Sequence, residues 1–154
     1  MSEKTRGDKA YELFMSGYNC SQAVAGAFAD VLGMDMDTVA KLAGGFGGGM
    51  GRLREVCGTF SGIVMVVSML YGYSDPKDNA TKTELYTRIQ ELAEQFRRDN
   101  GSIICKELLG LSKPEGSPVP EQRTSEYYKK RPCPELCRYA ADILERYIQD
   151  HPVD

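Results

Sequence analysis

The sequence predicts an all-α fold: a single compact multi-helix domain over residues 1–154, with a buried central helix and a glycine-rich loop. Three observations predict it. Apolar residues recur at helical spacing in several segments. Gly, Asn, Asp and Pro fall where helices start and stop. No pair of alternating segments marks a sheet. Residues 9–16 are amphipathic and stop at Gly17, a helix-ending residue. Asn19 caps the next helix, and Gln22 completes a capping box. That helix reads CSQAVAGAFADVL and ends at Gly33. A short helix starts at Asp37 or Thr38 and stops at Gly44. The glycine segment follows. Residues 59–70 are apolar nearly all round, the pattern of a buried helix. Ile63 to Val67 is β-prone, but Ser61, Gly62, Ser68 and the neighbouring helices favour helix over strand. SDPKDN is a turn. Residues 80–100 form a long amphipathic helix with Leu85, Ile89, Leu92 and Phe96 on one stripe. Gly101 ends it, and Ser102 caps a short helix to Leu109. Residues 110–125 hold three prolines and form a loop. The last helix starts near Pro134 and turns Leu136, Ala140, Ile143, Leu144 and Tyr147 inward.

The bulk properties narrow the function. At 154 residues the chain buries enough surface to fold without disulfides. A net charge of −3 argues against a nucleic-acid partner, which calls for a basic field. The longest apolar run, residues 63–71, is far shorter than the ~20 residues of a membrane span, so no membrane is expected. The N-terminus has no continuous apolar core of a secretory signal. The expectation is a cytoplasmic protein with reduced thiols. Its five cysteines are an odd count, which suits a disulfide framework poorly. The only histidine, His151, sits in an end expected to fray. That leaves no Cys–His or Ser–His catalytic pair and no c-type haem motif.

Cys20, Cys57, Cys105 and Cys133 all fall near predicted helix starts, and Cys137 lies one turn inside the last helix. Helix starts offer free N–H groups and a positive dipole end, which favour thiolate. Lys129, Lys130 and Arg131 add positive charge before Cys133. Burial as small hydrophobes also suits Cys105, beside Ile103 and Ile104, and Cys137, on the face of Ala140 and Leu144. In CPELC, residues four apart on a helix have Cβ atoms about 5–6 Å apart. A disulfide needs ~3.8 Å, so metal ligation is easier there than a local bridge.

Eight of the sixteen glycines fall between positions 44 and 62. The segment lacks the Lys and Ser/Thr of a phosphate-binding loop and the spacing of a dinucleotide fingerprint. Two compatible readings remain. Gly47, Gly48, Gly49 and Gly51 wrap backbone N–H groups around an anion or sulfur, or Gly58, Ser61 and Gly62 permit close helix packing. Arg52 and Arg54 are expected as solvated loop charges. Tyr127 and Tyr128 are expected on a loop packed against the body.

GYNCSQAV, FGGGMGRLREVCGTFSGIVM, GSIICKELLG and CPELCRYAADIL together resemble the C_GCAxxG_C_C family of redox-active proteins. The resemblance covers nearly the whole chain. It implies that the family's cysteines match Cys20, Cys57, Cys105 and Cys133, with Cys137 an extra. Thr59 stands where alanine is usual. A similar module occurs in split-Soret-type cytochromes, where it is associated with an iron–sulfur site. The haem-binding histidines are missing here, so the cytochrome function does not carry over. The resulting expectation is a helical redox protein that transfers electrons to an unidentified redox partner. Cys20, Cys57, Cys105 and Cys133 would bind an iron–sulfur cluster or other metal. Gly47, Gly48, Gly49 and Gly51 would donate amides to the cofactor. One alternative is metal-free thiol–disulfide chemistry, with Cys133 and Cys137 as the catalytic pair. Another is a non-enzymatic binding or assembly module with inert cysteines. Whether the protein is an enzyme, and whether it forms a homo-oligomer, stay open.

Overall fold

Side-chain caps fix where the first helices begin. In α1 (Arg6–Met15), Thr5 accepts from the Asp8 N–H and the Asp8 carboxylate accepts from the Thr5 N–H. Helix α2 (Cys20–Gly26) opens on Asn19 and Gln22 in the predicted capping box. The computed structural model describes residues 4–111 and 117–153. The chain continues through α3 (Ala29–Leu32), α4 (Met36–Ala43), a 3₁₀ turn (Gly44–Phe46) and the single turn α5 (Gly47–Met50). The longer helices α6 (Gly58–Tyr71) and α7 (Asn79–Asn100) follow, then α8 (Cys105–Leu108), α9 (Ser125–Lys130) and α10 (Cys133–Asp150). The fold is all-α, as the periodicity predicts. Among the described residues the one β-type pairing is an isolated antiparallel bridge between Val56 and Ile104.

Several boundaries differ from the sequence reading, each for a local reason. The expected single helix over 20–32 is two helices. Phe28 leaves helical geometry at φ −116°, ψ 17°. The Arg6 guanidinium donates to the Ala27 carbonyl and lies 5.1 Å from the Phe28 ring centroid. Asp35, not Asp37 or Thr38, caps α4, and its carboxylate accepts from the Thr38 N–H. Ser102 accepts from the Ile104 N–H, but the helix beyond it starts only at Cys105. Helix α9 lies where only the end of a loop was expected. Thr124 caps it by accepting from the Tyr127 N–H, so Tyr127 and Tyr128 are helical. Residues 112–116 of the expected loop lie outside the described residues. His151 stacks on Tyr147 at 4.1 Å between centroids instead of fraying.

The core forms where α1, α2, α6, α7 and α10 meet. Phe14, Phe28, Ile63, Leu92, Phe96 and Leu144 are its largest buried side chains. Phe96 packs edge-on to Phe60 at 5.9 Å and to Tyr139 at 5.5 Å. Tyr147, expected inward with the rest of its stripe, is half-buried beside Arg88. Central helix α6 crosses close to α2 because Gly62 has no side chain. A Cβ there would meet Val24 Cβ at 2.8 Å. Gly62→Val is therefore expected to lower stability by about 2 kcal/mol, from the overpacking range of ~1–3 kcal/mol. Urea unfolding followed by far-UV circular dichroism measures it. Helix content at zero denaturant stays at the wild-type level.

Candidate functional site

Two segments far apart in sequence are joined by backbone bonds. The Cys57 N–H donates to the Ile103 carbonyl at 2.7 Å, and the Cys105 N–H donates to the Glu55 carbonyl at 2.6 Å. The bonds flank the Val56–Ile104 bridge. Side chains alternate faces along an extended strand. Cys57 and Cys105 therefore both leave on the face opposite the bridging pair. Each then stands at a helix start: Cys57 is the N-cap of α6 and Cys105 the first residue of α8. Cys20 and Cys133 are the first residues of α2 and α10. All four line one cavity of about 390 Å³. Cys137, fully buried in the core, is not among its lining residues. The Cys20 thiol interacts with the thiols of both Cys133 and Cys137.

Gly47, Gly48, Gly49 and Gly51 form part of the same wall. Gly48, Gly49 and Gly51 hold left-handed backbone, at φ 68°, 72° and 58°. Met50, Arg52 and Arg54 share that conformation at φ 72°, 66° and 62°, which non-glycine residues seldom adopt. The loop is fixed by N–H donation from Gly51 to the Gly45 carbonyl, Arg54 to Gly48 and Glu55 to Gly49. Gly49 is fixed by space as well as by φ. A Cβ there would lie 2.7 Å from Cys105 Cβ, from Arg54 Cα and from the Glu55 nitrogen. At Gly58 a Cβ would lie 3.1 Å from Cys20 Cβ. Gly58 and Gly62 thus serve close packing, whereas the Gly51 amide, expected to face a cofactor, is taken up by the Gly45 carbonyl.

A model of the family described as "Putative redox-active protein (C_GCAxxG_C_C)" matches residues 18–147. The chain belongs to this family. Comparisons with curated proteins and with solved structures gave no match.

In this C_GCAxxG_C_C protein the charged lining of the cavity is Arg52, Arg54, Arg123, Arg131 and Glu121, although the chain carries a net charge of −3. Arg52 and Arg54 are not the solvated loop charges expected. Arg54 is only 7% exposed, and its Nη1 donates to Cys105 Sγ at 3.7 Å. Arg52 donates to the Val119 carbonyl and pairs with Glu121 at 3.7 Å. Arg131 pairs with Glu121 at 2.6 Å. Arg123 donates to the Phe14 and Tyr18 carbonyls and lies 3.9 Å over the Phe14 ring. Sequence reasoning missed Arg123 as a wall residue, because nothing local marks it. It also treated Thr59 only as a departure from alanine. The buried Thr59 hydroxyl is 3.1 Å from Cys57 Sγ. A hydroxyl two residues after an N-cap cysteine was the available signal.

The helix starts do not leave these thiols acidic. Burial pushes Cys57 up to about 11 and also raises Cys105 and Cys137. Cys133 rises because it hydrogen-bonds Cys20 and is buried. Hydrogen bonding from Cys133 pulls Cys20 down, but bonding to Cys137 and burial outweigh it, so Cys20 also rises. Among the described residues, no three His, Cys, Asp or Glu side chains are grouped to hold a single metal ion.

Two outcomes follow from the site's packing. Gly49→Ala combines a left-handed alanine, costing ~1–2 kcal/mol, with a backbone clash. It is expected to lower stability by about 3 kcal/mol in urea and to speed alkylation of Cys105 at least tenfold. The metal-free protein is also expected to lose stability in alkali. Cys57 stays protonated in the fold up to about 11, whereas its unfolded value is 9.0. Its contribution is fully present below pH 9 and is lost as pH rises through 11, by about 1.4 kcal/mol for each unit of the shift. A urea midpoint that is flat across this window overturns the assignment, and Cys57→Ala is expected to make the decline shallower.

Proposed function

We propose that the cavity is a redox centre in which Cys20, Cys57, Cys105 and Cys133 bind an iron–sulfur cluster for electron transfer. The observation that carries this reading is the gathering of four cysteines, remote in the chain, around one cavity. The donor chemistry fits. An all-thiol set favours iron–sulfur clusters, zinc or copper(I) over oxygen-preferring cations. A single tetrahedral ion with ~2.3 Å metal–sulfur bonds needs thiolates about 3.8 Å apart. No described group meets such a requirement. A cluster distributes its thiolates over different irons and so suits a wider spacing.

When bound, such a cluster supplies a one-electron carrier. The chain's own residues shape its surroundings. Thr59 and Arg54 are positioned to donate to the sulfurs of Cys57 and Cys105. Donors to ligand sulfurs are a principal means of tuning reduction potential. The arginines oppose the negative charge that thiolates and cluster carry together. Phe14, Leu108, Leu109 and Leu136 make part of the wall apolar and limit water. The reading implies a separate redox partner and suits a reducing cytoplasm. For the membrane, among the described residues no helix is long and apolar enough to cross one.

Anaerobic reconstitution with iron and sulfide is the test. The expected product is brown, with visible charge-transfer absorption and stoichiometric bound iron. Cys57→Ser is expected to lose at least nine-tenths of that iron while keeping the helical circular dichroism of the parent. A colourless, iron-free wild-type protein after reconstitution overturns the cluster reading.

A further inference from the structure

Five thiols are distributed unevenly between solvent and core. Cys57, Cys105 and Cys137 are buried, whereas Cys20 and Cys133 keep a minor part of their surface exposed. The thiols of these two residues are also electrostatically coupled. Both line the cavity, and both occupy the first position of a helix. A first helical residue is easier to shift than one in mid-helix, because its N–H is not locked to a preceding turn. Cys137 differs on each count. It is 0% exposed, lies one turn inside α10 and is packed in the core among Ala140, Ala141 and Leu144. The CPELC spacing suggested Cys133 with Cys137 as the dithiol. The cavity favours another partner: Cys20 on α2 and Cys133 on α10 both line it, whereas Cys137 does not.

The geometry points to a metal-free redox couple in which Cys20 and Cys133 form a reversible disulfide at the cavity, exchanging two electrons with a small-molecule disulfide. This rests on the reading of the cavity as a redox site but requires no metal. Cys133 gives up its proton to solvent and attacks one sulfur of the small disulfide. That S–S bond breaks, a mixed disulfide forms on Cys133, and the first small thiolate leaves. The Cys20 thiolate then attacks the Cys133 sulfur. The Cys20–Cys133 bond forms, and the second small thiolate leaves. The two protein thiols give up two electrons and two protons, and the small disulfide becomes two thiols. The cross-link ties the first turn of α2 to the first turn of α10. It occupies two of the four thiols needed for a cluster, so the oxidised pair and the loaded cluster exclude each other.

The test treats reduced, metal-free, full-length protein with oxidised glutathione, followed by non-reducing digestion and mass spectrometry. The expected result is a linked peptide pair containing Cys20 and Cys133, with two thiols lost from the five in the chain. Cys20→Ser is expected to stop at a mixed disulfide of Cys133 with one glutathione. Cys137→Ala is expected to form the cross-link at a rate within threefold of the parent. A Cys133–Cys137 link, a stable glutathione adduct on the wild type, or five thiols surviving would each overturn the proposal. Iron content after anaerobic reconstitution is a separate readout. Protein that forms the Cys20–Cys133 link yet binds no iron refutes the cluster and leaves this couple standing. Protein that binds iron but never forms the link does the reverse.

Discussion

The antiparallel contact between Val56 and Ile104 is the join on which the site depends. It consists of one bridging pair and its two flanking hydrogen bonds. Through it, the residues entering α6 and the residues entering α8 share one short ribbon. Without it, Cys57 and Cys105 would belong to separate loops. The join also sets the shape of the glycine turn. The Gly49 carbonyl accepts from the Glu55 N–H, and Glu55 in turn accepts from Cys105. The turn, the ribbon and the two cysteines thus form one continuous backbone network. This explains why Gly49 has no room for a side chain: three neighbours of that network surround it.

Much of this was legible in the sequence. The helical class, the glycine stops, and the capping box at Asn19 and Gln22 depend on local patterns within a few residues. The placing of four cysteines at helix starts was legible for the same reason. What failed were features decided by distant residues. The break at Phe28 depends on Arg6, whose guanidinium takes the Ala27 carbonyl. Helix α9 carries its own Thr124 cap, but the proline-bearing stretch before it obscured that signal. The burial of Arg54 follows from the fold around it and leaves no local mark. The thiols followed the same rule. Their positions at helix ends were readable, but their protonation is set by how deeply the assembled body covers them, which no window of sequence records.

Opposed charge tendencies meet in the cavity. Burial favours neutral thiols, while the nearby arginines favour thiolates. In the metal-free chain burial prevails. A cluster bound as proposed would reverse the balance, because a coordinating thiol is deprotonated outright. Such loading would release protons from groups otherwise held neutral, and the Arg54 guanidinium already stands beside the sulfur of Cys105.

Both long helices that carry a cavity cysteine at or beside their first residue run away from the cavity. Helix α6 has 14 residues and α10 has 18, so at 1.5 Å per residue their far ends lie about 21 and 27 Å off. Each rod is packed into the core along its length, so its root is held by the whole body. The sulfurs occupy the roots. The vertex where those roots meet is thus braced by the same side chains that hold the body together.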